Sequence, residues 1–119
     1  MADFDYDDLL RLDAGAWKDK SFGGEPIPTL EQAINLIRAS STGLLLELKA
    51  ARLYPGIVTD VVGALSSVPG YLREVAAGRR LVVQSFDVAL MKDHKTREPG
   101  VRVGLLGSLA PANLPALGT

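Results

Sequence analysis

Three short apolar runs, LLLELK at 44–49, LVVQSF at 81–86 and VRVGLL at 101–106, are separated by segments of helical period. This alternation constrains the fold more than any other feature of the chain. Strands joined through helices cannot close as hairpins, so they pair in parallel with right-handed crossovers. The class is therefore α/β with about three parallel strands. A parallel sheet needs cover on both faces, and the helices here number about as many as one layer requires. The other face needs something more.

The helical segments carry their own punctuation. In PTLEQAINLIRAS, Thr29 and Gln32 fit a capping box, in which the hydroxyl takes one orphan amide and the Gln side chain reaches back to the cap. A helix from about Leu30 to Ala39 follows, with Leu30, Ala33, Ile34 and Ile37 as its buried stripe. After Pro55-Gly56, the residues Ile57, Val58, Val61, Val62 and Leu65 form a second helix face. Tyr71 to Ala77 reads as a further helical stretch ending at Gly78, and DVALMKDHK as another helix, with Asp87 near its start where negative charge suits the macrodipole. Upstream, Tyr6 to Leu12 is expected to form a short helix with Leu9, Leu10 and Leu12 partly inward. The long loop DAGAWKDKSFGGEPIP follows, expected to be ordered, with Trp17 and Phe22 as apolar anchors. The tail LGSLAPANLPALGT has no clear period and is expected to be irregular.

Composition narrows the function. The chain has 119 residues, 13 Lys+Arg against 14 Asp+Glu, and a net charge of -1, without the basic excess of a nucleic-acid binder. Residues 1–31 hold eight of the acids and three of the bases. There is no cysteine, which excludes disulfide frameworks, thiolate zinc sites and cysteine nucleophiles. The opening MADFDYDDLL is acidic where a secretory leader needs a basic end, and no run approaches the roughly 18 apolar residues of a membrane span. One domain in the cytoplasm is the expectation, with an N-terminal helix and loop at 1–28, strand and helix units at 29–106, and the tail at 107–119.

LDAGAW, the loop ending in GEPIPTLEQAI, the strand LLLELK and the strand ending QSFD, in this order and at these separations, resemble the glycerophosphodiester phosphodiesterase family. The resemblance runs from roughly Leu9 to Leu106. It implies part of a (β/α)8 barrel, a fold that typically takes about 250 residues. It further implies cleavage of a glycerophosphodiester to sn-glycerol 3-phosphate and an alcohol, with a divalent metal, magnesium or calcium, and a pair of histidines. The family's His-Arg-Gly strand, Glu-x-Asp pair and second histidine do not occur here, nor do its Trp-Thr and Thr-Asp motifs. The chain is thus expected to be the middle of such a barrel and inactive alone.

In a strand, Leu45, Glu47 and Lys49 share one face and Leu44, Leu46 and Leu48 the other. The leucines are expected to face the helices. A carboxylate and an ammonium buried alone would each cost several kcal/mol, so each needs a partner, a metal or water. By the resemblance, Glu47 falls on a metal-ligand carboxylate and Lys49 on a lysine that helps hold substrate phosphate. Ser85 and Phe86 fall near the mouth of the pocket, as substrate-binding positions. The bland reading is an ion pair between Glu47 and Lys49, or two solvated charges. For Ser85 the ordinary role is a cap on the following helix, and for Phe86 a place in the core.

His94, the only histidine, lies in KDHKTRE and is expected to be solvated at a helix C-terminus, with no catalytic role. Asp3, Asp5, Asp7 and Asp8 lack the glycine turn and terminal Glu of a calcium loop and read as a solvated helix start. GYLREVAAGRR carries neither phosphate-loop fingerprint. Two functions follow: a segment of a metal-assisted phosphodiesterase, and a non-enzymatic half barrel that self-associates or pairs with a complementary fragment.

Overall fold

A computed structural model describes residues 2–107, so the tail from residue 108 on lies outside the described residues. Five α-helices and three strands follow one another as α1 (Tyr6–Leu9), α2 (Leu30–Arg38), β1 (Leu44–Glu47), α3 (Ile57–Ser67), α4 (Tyr71–Gly78), β2 (Leu81–Ser85), α5 (Val88–Arg97) and β3 (Arg102–Leu105). Short 3-10 turns stand at Lys20–Phe22 and Ala51–Leu53. The strands form one parallel sheet in the order β1-β2-β3. Each return to the sheet passes through helix, as the alternation of sequence periods requires, and the arrangement is that of consecutive units of a (β/α)8 barrel.

Local signals set the helix starts. At α2 the Thr29 hydroxyl accepts from the Gln32 amide at 3.1 Å while the Gln32 side chain accepts from the Thr29 amide at 2.9 Å, closing the expected capping box. At α5 the Asp87 carboxylate accepts from the Leu90 amide at 3.1 Å, so this residue is the N-cap itself. α2 is tied to α4 by Arg38, whose Nε donates to Glu74 Oε2 at 3.0 Å. That contact holds the Glu74 carboxyl below its ordinary value.

All the helix-side packing is on one face. Ile34 of α2, Leu65 of α3, Val75 of α4, Met91 of α5 and Val83 of β2 meet in a single core with Leu48, Leu81 and Val101. Each fully buried aliphatic contributes about 1.5–3 kcal/mol of transfer free energy. Among the described residues no helix packs on the opposite face of the sheet, and Leu45 there is 62% exposed.

Three expectations change. The helix at the N-terminus ends at Leu9, leaving Leu10 and Leu12 exposed. The long loop is ordered, but not by its aromatics: Trp17 is 81% and Phe22 55% exposed. Polar bonds hold it instead. The Asp13 carboxylate accepts from the amides of Gly15, Ala16 and Gly24, each at 2.9 Å, and Ala14 N donates to Glu25 O at 2.7 Å. These amides push the Asp13 carboxyl below its ordinary value, Gly24 contributing most. Gly15 is required where it stands, because a Cβ there would collide with the Phe22 carbonyl.

The third change is His94, which is fully buried rather than solvated, with neither ring nitrogen hydrogen-bonded among the described residues. It follows Met91 by one helical turn on the inward stripe of α5. Burial, more than its charged neighbours, lowers its pKa from the ordinary 6.5. The unfolded chain therefore takes up a proton near pH 6.5 that the folded chain refuses until lower pH, so stability is full above that point and falls as the pH drops below it. Urea unfolding at about pH 7 and about pH 5 is expected to show this loss in the parent and little of it in His94→Leu. At neutral pH the same substitution, which removes two unpaired polar atoms, is expected to add about 1 kcal/mol.

Candidate functional site

The carboxyl ends of parallel barrel strands are where such folds place their chemistry. Here that edge is formed by Glu47 on β1, Ser85 with Phe86 after β2, and Leu105 on β3. Along β1 the side chains alternate between half-buried and exposed. Leu44 and Leu46 pack toward the helices, while Leu45 and Glu47 stand on the open face. The phase is the one expected from period 2.

The cross-strand register sets what faces Glu47. It lies opposite Gln84 on β2, and Gln84 lies opposite Gly104 on β3. One more ladder bond, Leu48 N to Gln84 O at 2.8 Å, carries the pairing past the strand end. The chain then turns: Lys49 is exposed, and Ala50 takes a left-handed conformation at φ 51 and ψ 40 before the 3-10 turn. Glu47 and Lys49 form no ion pair with each other; the salt bridges found among the described residues are Arg38–Glu74 and Arg97–Asp93.

Ser85 points the other way. It is 2% exposed, on the helix side with Leu81 and Val83. Its Oγ donates to Leu48 O at 2.8 Å and accepts from Asp87 N at 3.2 Å. The hydroxyl thus fastens the end of β1 to the end of β2 and shapes the turn into α5, while the cap expected of Ser85 belongs to Asp87. Phe86 is 66% exposed and not in the core. The structure therefore brings Glu47 together with Gln84 and separates both from the Ser85 hydroxyl. Gln84 was not singled out by sequence reasoning, and its signal was the phase of β2, where residue 84 must share a face with residues 82 and 86.

The donor set decides what a cation would find. Among the described residues no group of three His, Cys, Asp or Glu gathers where a metal could be held. Divalent cations such as magnesium and calcium take six or more oxygen ligands, typically with more than one carboxylate or with a phosphate. Glu47 alone does not fit that requirement. The acidic residues at the start of α1 are exposed, and the N-cap Asp5 makes no side-chain cap bond.

A cavity of about 650 Å³ lies at the opposite edge of the sheet, lined by Val75, Ala76, Arg79, Lys95, Gly100 and Arg102 among others. Its size is that of a ligand pocket, but it lies at the edge away from the carboxyl ends of the strands, and one of its cations is engaged by main-chain carbonyls. Lys95 Nζ donates to Pro99 O at 2.9 Å and Val101 O at 3.1 Å, and Arg79 is the C-cap of α4. Positive charge at two helix C-termini answers the macrodipole. The candidate site is the Glu47 edge, because it is at the carboxyl ends of the strands that folds of this kind carry their chemistry.

The fold and edge define a segment of a parallel α/β barrel with its polar residues at the strand ends. The chain matches the sequence profile of the glycerophosphoryl diester phosphodiesterase family over residues 1–117, and it belongs to that family. It is 31% identical over 107 residues to a glycerophosphodiester phosphodiesterase of Caldanaerobacter subterraneus, covering 89% of this chain and 41% of the relative. It is 32% identical over 106 residues to "Putative glycerophosphodiester phosphodiesterase YhdW" of Bacillus subtilis, covering 89% and 40%. The chain thus spans about two fifths of the length of the curated relatives it matches. No helix among the described residues is long and apolar enough to cross a membrane.

The Ser85 tie can be measured on its own. Ser85→Ala leaves the Leu48 carbonyl without its buried donor and is expected to cost about 1–2 kcal/mol in urea unfolding. Ser85→Thr, which keeps the hydroxyl, is expected to recover part of that loss.

Proposed function

We propose that this chain is a segment of a phosphodiesterase that hydrolyses a glycerophosphodiester to sn-glycerol 3-phosphate and an alcohol. The observation that carries the reading is the position of Glu47, the last residue of β1, on the open face at the carboxyl edge of the sheet. Glu47 is the candidate metal-ligand carboxylate, and Lys49, two residues on, the candidate partner for phosphate charge. Phe86, exposed at the same edge, is a candidate wall for the substrate. Ser85 acts behind them, as the tie that holds the two strand ends in register.

The reaction of the complete site is phosphoryl transfer to water, and magnesium or calcium would supply Lewis-acid chemistry there. Glu47 alone does not hold such an ion, so this chain's own contribution is to binding. An ammonium near the phosphate offsets its charge, most effectively where water is excluded. With one histidine, and that one fully buried, the chain has no pair of imidazoles to act as acid and base. We therefore expect the chain alone to be inactive.

A second reading, a half barrel that associates with itself or with a complementary fragment, is favoured by the open face. Leu45 and Phe86 are 62% and 66% exposed. Covering each would gain about 1–2 kcal/mol, since about two thirds of each side chain is exposed.

The purified 119-residue chain, given glycerophosphocholine and either magnesium or calcium, is expected to release no sn-glycerol 3-phosphate above the buffer rate. Turnover that disappears in Glu47→Gln would overturn the inactivity and support the site. Sedimentation is expected to show an assembly larger than the monomer. A compact monomer that unfolds cooperatively would count against the second reading.

A further inference from the structure

Gln84 interrupts an otherwise apolar stretch of β2 on the face that no helix among the described residues covers. Its flanking residues Val83 and Ser85 point into the helix layer, and Gln84 itself is half-buried. The side-chain hydrogen bonds at this end of β2 belong to Ser85 and Asp87. None among the described residues engages the Gln84 carboxamide. A polar group so placed is chemically unspent, with two N–H donors and a carbonyl acceptor on offer.

The neighbours on either side fit a ligand role. Across one ladder stands Glu47, and across the other stands Gly104. A glycine inside a strand weakens it and commonly marks a place where something approaches closely. Here the close neighbour is the carboxamide: a Cβ at residue 104 would lie 3.4 Å from Gln84 Cβ and 3.8 Å from its Oε1. A methyl group would fit at ordinary contact distance, whereas a longer side chain would extend over the carboxamide and fill the space above it. Glu47, Gln84 and Gly104 thus form one layer of a carboxylate, an amide and a gap. A neutral amide beside a carboxylate also avoids the repulsion that a second acid would bring.

We propose that Gln84 contacts the ligand, its carboxamide hydrogen-bonding to an oxygen of a phosphorylated polyol seated over Gly104. This rests on the phosphodiesterase reading and extends it by one residue and by the gap that gives the ligand room. An amide can donate to a phosphate oxygen or exchange hydrogen bonds with a hydroxyl, so the shared chemistry is that of glycerol phosphate. Separate phosphate and glycerol titrations tell the two ends apart.

The test uses the full chain labelled with nitrogen-15 and sn-glycerol 3-phosphate as the probe, following the side-chain amide pair of Gln84 and the backbone amides of Glu47 to Lys49. The expected result is a saturable shift of the Gln84 pair, with inorganic phosphate or glycerol alone reproducing it according to which oxygen is bound. Gln84→Leu is expected to weaken binding about fivefold, as the loss of one ligand hydrogen bond does. Gly104→Leu is expected to weaken it at least as much, while Gly104→Ala titrates like the parent. Because the carboxamide makes no bond within the described chain, Gln84→Leu is expected to retain the parent's dispersed spectrum. Shifts at Glu47 and Lys49 with the Gln84 pair unmoved, and Gln84→Leu binding as tightly as the parent, would overturn the role of Gln84 and leave the phosphodiesterase reading standing. Absence of any saturable shift at this edge would overturn both.

Discussion

A strand that runs parallel to its predecessor must be reached by a long return path, and the helix in that path lands on one side of the sheet. In this chain the returns through α3 with α4 and through α5 put the buried aliphatics on that side. The alternation along each strand then leaves the other side to a mixed set, the aliphatics Leu45 and Val82 with Glu47, Gln84, Arg102 and Gly104. Every functional proposal depends on this partition. A slip of one residue in β1 would send Glu47 into the helix layer and Leu46 out of it. The register is held by the leucines on the packed side and by the Ser85 hydroxyl, which reaches from β2 to the carbonyl of Leu48.

Much of this was legible in the residues. Thr29 with Gln32 announced the start of α2, because a capping box needs two particular side chains at one spacing and both were present. The phase of LLLELK placed Glu47 opposite the leucines, because period 2 leaves no freedom once one face is buried. Other features depended on partners far along the chain. Nothing local marks Asp13 as the residue that closes its loop, since one of its three amides comes from Gly24, eleven residues away. The division of labour between Ser85 and Asp87 was hidden for a similar reason. Either residue can cap a helix, and only the nearness of the Leu48 carbonyl assigns Ser85 to the strand tie.

His94 and Trp17 show how composition misleads. KDHKTRE is so rich in charge that its histidine looks exposed, yet one helical turn from Met91 puts the ring in the core. Charge density describes a segment's average, whereas burial follows the angle around the helix. Trp17 has the largest apolar side chain in the loop and still faces solvent, its Nε1 donating to Ala14 O at 2.9 Å. Polar bonds at the base of the loop close it, and the indole adds only that local bond to Ala14 O and no core packing.

The way that loop is closed has a consequence for how such a protein can change. The Asp13 carboxylate grips main-chain amides, which every residue but proline carries, and Gly15 is fixed by crowding with the Phe22 carbonyl. The path of the chain is therefore written in a few positions, Asp13 and Gly15 with the Asp19 carboxylate that accepts from the Ser21 amide at 2.8 Å, and the exposed ring of Phe22 takes no part in it. Descendants can repaint the outer surface of this turn, from aromatic to charged to small, while its backbone keeps the same course.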